Sequence, residues 1–152
     1  MPPRTRRTNP LLKADLHTHT YFSPDSLTSP EKYVQTCLER SINCVAVTDH
    51  NDIGGALAVE KLASFKVIIG EEIETSEGEI IGLFLQEKVP AGLSAEETVQ
   101  RIKEQGGLVC KTVPVVCDSG AISRIRIARA CHWSRRLPTA FSIIRRDIGG
   151  QG

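Results

Sequence analysis

The sequence predicts an α/β fold of parallel β-α units, and two observations carry that reading. Over residues 14–110, short extended runs alternate with capped segments of helical period. Histidine, aspartate and glutamate also recur where successive extended runs end. With 152 residues, 40% apolar side chains and a net charge of +1, the chain is able to bury one ordinary core. That composition excludes a disordered or collagen-like protein. The longest apolar stretch, residues 80–85, falls far short of the roughly 18 residues that a membrane-spanning helix needs, so no membrane partner is expected. The basic start, residues 1–7, is followed by Lys13 and Asp15 where a signal peptide is apolar, so export is not supported. The cysteines at 37, 44, 110, 117 and 131 are odd in number and form no Cys-x-x-Cys pair, which reads as free thiols in the cytoplasm.

Residues 1–12 form a flexible basic arm without an apolar period. Residues 14–19 then alternate as a strand, placing Asp15, His17 and His19 on one face with Leu16 and Thr18 opposite. Ser29-Pro30 supplies an N-cap and a first-turn proline for a helix that ends near Ser41, with Tyr33, Val34, Cys37 and Leu38 as its apolar stripe. The valine-rich run 43–48 is a buried strand ending in Asp49-His50. Asn51 or Asp52 caps a second helix over about 54–64, whose apolar face is Ala56, Leu57, Val59, Leu62 and Ala63. A third strand over 66–70 leads into Glu71, Glu72 and Glu74, and a Ser76-Glu77-Gly78 turn opens a fourth run over 79–85. Ser94 and Glu97 make a capping box for a helix over about 95–105, stopped by Gly106-Gly107 before a short strand at 108–110.

The pattern breaks after Cys110. Residues 111–152 hold eight basic side chains against two acidic ones, no glutamate, and seven arginines to one lysine. Beyond a candidate strand at 113–116, no element is assigned there. Three domains of composition result: the arm 1–12, a folded part 13–110, and an arginine-rich segment 111–152 that reads as frame-shifted or fused. The strand at 108–110 is then expected to leave an exposed sheet edge. Nucleic-acid binding by the basic segment is weighed and set aside, because no recognition motif or aromatic interleaving accompanies the charge.

Three strand ends carry metal-ligand residue types: His17 and His19, then Asp49 and His50, then Glu72. In parallel α/β folds these ends converge on one face, where two imidazoles can chelate an ion and a neighbouring carboxylate can bridge it to a second. Asp25 and Glu79 lie within reach of that face. Each residue taken singly has a plainer reading. Asp49 can cap the following helix, Asp25 can be a turn residue, and Glu71, Glu72 and Glu74 can be a solvated strand end. Their joint placement at successive strand ends favours the metal site.

The segments 15–19 (Asp-Leu-His-Thr-His), 47–52 (Val-Thr-Asp-His-Asn-Asp) and 70–73 (Gly-Glu-Glu-Ile) resemble, in order, the first three motifs of the PHP domain, named for polymerase and histidinol phosphatase. The resemblance covers about residues 13–110, the N-terminal part of the family's pattern. It implies an incomplete, distorted barrel from a fold of about seven β-α units, with divalent ions at the C-terminal face hydrolysing phosphoester bonds through an activated water. On the same resemblance His17 and His19 bind one ion, Glu72 bridges two, Asp25 and His50 serve a third, Asp49 orients His50 or closes the turn, and Glu79 is a weaker ligand. The implied cofactors are zinc, manganese or iron. The implied partner is a small phosphorylated or nucleotide substrate, for a stand-alone phosphoesterase whose oligomeric state is left open. Where the family has a Pro-His-Pro turn after the strand at 108–110, this sequence has Lys111-Thr112-Val113-Pro114, and a later Asp-x-His strand end is absent, His132 lying outside that pattern. Impaired hydrolysis, or a catalytically inactive domain that binds metal or a partner, is therefore the alternative expectation.

Overall fold

The computed structural model describes residues 12–115, 122–127 and 141–143, with side chains over 12–110. In chain order the elements are β1 (Leu12–Thr18), α1 (Pro30–Glu39), β2 (Cys44–Val47), α2 (Gly54–Leu62), β3 (Lys66–Thr75), β4 (Gly78–Leu83), α3 (Ala95–Glu104), β5 (Leu108–Val115), β6 (Ile122–Ile127) and β7 (Phe141–Ile143). They form one sheet in the order β6-β5-β4-β3-β2-β1-β7. The two ends of that order do not pair among the described strands, so the barrel is incomplete.

The first half of the sheet follows the expected parallel pattern, with β7, β1, β2 and β3 all parallel. The second half does not. β3, β4, β5 and β6 pair antiparallel; for β3 and β4 the cause is the turn at Ser76 and Glu77, too short for the crossover that a parallel neighbour requires. Two expectations about the later chain are also corrected. Strands occur at 122–127 and 141–143, and β5 runs on to Val115 and pairs with β6, so it is not left as a bare edge. Apart from proline, every residue carries the same backbone N–H and C=O groups, so an extended segment can complete a ladder without a clean apolar period.

Every residue of β2 is buried, as expected of a strand covered on both faces. One face contributes Cys44 and Ala46 to a cluster with Ala14, Leu16, Ile68, Ile81, Leu83 and Cys110. The other sends Val45 and Val47 against Tyr33, Val34 and Cys37 of α1 and Ala56 and Val59 of α2. A third cluster, Ile73, Leu85, Val89 and Ile102, seats α3. The apolar stripes are narrower than their periods suggested: Leu38, Leu57 and Leu62 lie exposed at the margins of α1 and α2.

Caps fix two of the helices as read. Ser29 accepts from the Lys32 N–H ahead of Pro30, and Ser94 and Glu97 form a reciprocal capping box, with Gly106 at φ 76° just beyond α3. α2 begins after Ile53, and the Asp52 side chain expected as a cap accepts from the N–H of Gly54, the first residue of the helix. Asn51 adopts φ 52° and its side chain accepts instead from the Glu74 N–H at 2.8 Å, tying the end of β2 to β3.

Strict alternation along β1 also fails at an instructive place. Asp15 faces Val45 but Thr18 faces Val47, so three steps on β1 oppose two on β2. Such a bulge re-aims the side chains that follow it. Leu16 keeps ordinary alternation and packs in the cluster with Ala14, while the Thr18 hydroxyl meets Tyr33 Oη at 2.7 Å on the helical side. The sheet's stability rests on the fully buried aliphatic positions. Ile81→Ala is expected to cost about 2–5 kcal/mol, and Leu27→Ala, at 98% exposure, less than about 0.5 kcal/mol, as read from urea unfolding midpoints.

Candidate metal centre

The ends of β1, β2 and β3 meet at one point. Beyond β2 the ladder continues through a bridge between His50 and Glu72, with the Asn51 N–H donating to Glu72 O at 2.9 Å and the Glu72 N–H to Asp49 O at 3.1 Å. These backbone bonds fix Glu72 beside the histidines before any side-chain interaction is counted.

His17 Nε2 lies 2.8 Å from Glu72 Oε2, His19 Nε2 lies 3.2 Å from the same oxygen, and the two Nε2 atoms are 3.0 Å apart. Two ligand atoms each about 2.1 Å from one cation are about 3.0 Å apart at right angles and about 3.4 Å apart at the tetrahedral angle. The observed triangle has that size. Two imidazole nitrogens and a carboxylate are also a donor set suited to zinc, manganese or iron, so the residues present fit a divalent cation.

A second group adjoins it. His19, Asp25 and His50 each offer a ligand atom, with Asp25 Oδ1 3.5 Å from His19 Nδ1 and Asp25 Oδ2 3.7 Å from His50 Nε2. Glu72 Oε2 stands 3.8 Å from His50 Nε2, between the two groups. Glu79 is peripheral: its Oε1 is 3.5 Å from His50 Nδ1, the ring atom opposite the one that faces Asp25 and Glu72.

Electrostatics follow the geometry. Burial opposes the charge on Glu72, yet hydrogen bonds from His17 and His19 and the nearby imidazoles outweigh it and hold the carboxyl at about 2. Burial likewise works against ionisation of Asp25, but the Ser23 hydroxyl and the His19 and His50 imidazoles lower its pKa. For His19 burial favours the neutral ring, and Glu72 and Asp25 reverse that and raise it. Asp49 is fully buried and its pKa is raised by that burial. Its carboxylate accepts from the Thr20 N–H at 2.5 Å and the Thr20 hydroxyl at 2.7 Å. It thus anchors the loop after β1 and does not cap α2. A Cβ on Gly55 would overlap Asp49 Oδ2 and Thr20 Oγ1, so the first turn of α2 can approach this pair only as glycine.

The sequence does not single out Ser23. Ser23 Oγ is 2.6 Å from Asp25 Oδ1, 3.1 Å from His19 Nδ1 and 3.2 Å from the His50 backbone N. A serine in a Ser-Pro turn gives no signal of that in sequence. Glu71 and Glu72 are both buried, so the solvated-strand-end reading fails for them and holds only for Glu74. Glu71 Oε2 accepts from the Val89 N–H at 2.8 Å, while Oε1 has no hydrogen-bond partner among the described residues.

An α/β half-barrel with histidines and carboxylates converging at its strand ends is an arrangement that could hold metal ions, and comparison gives the family. The PHP domain matches residues 15–100, and the chain belongs to the PHP domain family. Uncharacterized protein MJ1587 of Methanocaldococcus jannaschii is 47% identical over 116 residues, covering 68% of this chain and 68% of that protein. Uncharacterized protein MJ0417 of the same organism is 39% identical over 99 residues, covering 64% of this chain and 38% of that one. A crystal structure of a two-domain protein from Bacteroides vulgatus, described as containing a predicted PHP-like metal-dependent phosphoesterase, superposes with a TM-score of 0.58 at 22% identity, over 64% of this chain and 34% of that chain. That likeness shows the fold.

Burial pushes the Glu71 carboxyl up to about 7, against the Val89 N–H and the Lys88 charge. A pKa raised on folding contributes stability that is present below about 4.5 and lost as pH rises through about 7. Glu71→Gln removes that dependence. Its unfolding midpoint relative to the wild type is therefore expected to move in the variant's favour between about pH 5 and about pH 8; a constant difference would contradict this account of Glu71.

Proposed function

We propose that this chain hydrolyses phosphoester bonds of small phosphorylated or nucleotide substrates with bound divalent metal. The observation that supports this most is the triangle of His17 Nε2, His19 Nε2 and Glu72 Oε2, with separations of 2.8–3.2 Å, at the strand ends of a PHP domain. His17, His19 and Glu72 would hold one ion, and Asp25 and His50, with Glu72 shared, a second. Zinc, manganese or iron at these positions would supply Lewis-acid neutralisation of phosphoryl charge and a nucleophilic water at neutral pH.

The chain's own groups do the rest. Glu72, ionised far below neutral pH, brings fixed negative charge to the point where the imidazoles converge. Asp49 and Thr20 hold the loop that carries Ser23 and Asp25 against the site. Glu79 orients the His50 ring from its outer edge. No helix among the described residues is long and apolar enough to cross a membrane.

One observation favours a second reading, a metal-binding domain with little turnover. The second group rests on Asp25 and His50 for ligands of its own, and residues 111–115, where further ligands of the family are expected, contain neither histidine nor acid. The chain also spans 38% and 34% of two of the longer proteins it matches, so the activity of a whole protein of this kind belongs to the proposal.

Hydrolysis of p-nitrophenyl phosphate and of its bis ester, measured on the metal-loaded chain, separates the two. Turnover that falls at least about 100-fold in His17→Ala supports the phosphoesterase. Metal binding without turnover selects the second reading. Turnover unchanged in His17→Ala contradicts the assignment of the site.

A further inference from the structure

We propose that Tyr21 and Phe22 form a stacking platform on the rim of the metal centre, where they bind the base of a nucleotide substrate. The two rings are 54% and 41% exposed, and their centroids are 4.9 Å apart with the planes tilted by 50°. Leaving two large aromatic side chains half open to water forgoes hydrophobic stabilisation, and an open ring face is a surface on which another planar group can stack.

Their place in the fold puts them beside the site. Both lie in the loop after β1, between His19 and Ser23, and two peptide steps of about 3.8 Å hold the Cα atoms of Tyr21 and Ser23 within about 7.6 Å of each other. Ser23 Oγ is 3.1 Å from His19 Nδ1 and 2.6 Å from Asp25 Oδ1. Phe22 reaches across to the start of α2, just beyond His50: a Cβ on Gly54 would stand 2.9 Å from Phe22 Cε1 and 3.0 Å from Cδ1, so glycine there leaves room for the ring. The two connections that meet in this way leave the ends of β1 and β2 on the face where His17, His19, His50 and Glu72 converge.

The loop is pinned along its length. The Tyr21 N–H donates to Thr28 O at 2.9 Å, the Phe22 N–H to Thr20 Oγ1 at 3.3 Å and the Ser23 N–H to Thr20 O at 2.9 Å, while the Ser26 hydroxyl donates to His19 O at 3.1 Å. Rings held in this way bind without the ordering cost that a mobile loop subtracts from affinity. Size selects the occupant. Side chains of roughly 150–250 Å² each, already half covered, offer far less than the about 800 Å² per partner of a stable protein interface. They match one planar base, joined through its sugar to a phosphate at the metal centre.

The proposal rests on the phosphoesterase reading for the position of that phosphate, and a binding measurement keeps its test apart from turnover. The non-hydrolysable 5′-phosphonates of adenosine and of ribose differ only in the base. In calorimetric titration of the zinc-loaded, full 152-residue chain, the adenosine analogue is expected to bind about 5- to 100-fold more tightly. The double variant Tyr21→Leu, Phe22→Leu keeps apolar bulk against Gly54 but has no ring faces, and its ratio is expected to fall to about 2 or less. Equal affinities in the wild type, or a ratio that survives in the double variant, overturn the proposal. If the variant does not fold, the wild-type ratio decides by itself. A base preference in a chain that hydrolyses neither AMP nor ribose 5-phosphate upholds the platform and removes the phosphoesterase reading. Hydrolysis of both at equal kcat/KM does the reverse, and binding of neither analogue removes both.

Discussion

The buried carboxylate of Glu72 is the constraint around which the rest of the site is arranged. It sits at 4% exposure, where an isolated charge would cost several kcal/mol, and its ionised form survives because His17, His19 and His50 all face the same oxygen. Those three rings come from two different strand ends, so the carboxylate depends on the parallel register that aligns β1, β2 and β3. The backbone bonds among Asp49, Asn51 and Glu72 make that register rigid at the point where it matters. A group so placed has one obvious complement, a cation at the convergence of the three ring edges.

Behind this arrangement stands a layer of buried polar residues, Thr20, Ser23 and Asp49. Asp49 draws Thr20 down onto the end of β2, and Gly55 leaves the space for it. Three residues further on, Ser23 links Asp25, His19 and the His50 backbone. The loop between β1 and α1 is therefore held at both its start and its middle. This explains how Asp25, itself half-exposed, keeps a defined position beside two imidazoles. By contrast Glu71, next in sequence to Glu72, faces away from the imidazoles, bonds the Val89 N–H and carries an oxygen with no hydrogen-bond partner among the described residues.

Much of this was legible in the sequence because it depends on local chemistry. Ser29-Pro30 and the Ser94–Glu97 box fix helix starts through their own backbone, and they fall where the sequence puts them. Histidine and acid at strand ends identify the site face for the same reason: the strand is short and its end is marked. What was not legible is non-local. The bulge in β1 arises from pairing with β2, and no residue in 14–19 announces it. The antiparallel return of β4 was implied by the tightness of the turn at Ser76 and Glu77, yet the alternation of strands and helices argued the other way. The sequence allows Asp49 to be either a cap or a support for His50, and only its partner across the chain, Thr20, distinguishes the roles. The pairing of β5 with β6 uses backbone groups that every residue but proline carries, which is why the composition break after Cys110 gave no warning of it.

The central claim is that one cation is held by His17, His19 and Glu72 together. Anomalous diffraction at the zinc or manganese edge, on crystals of the metal-loaded chain, measures this without reference to turnover. The account requires a peak about 2.0–2.2 Å from His17 Nε2, His19 Nε2 and Glu72 Oε2. A fully loaded crystal with no peak inside that triangle, or with its peak coordinated by other residues, would contradict it.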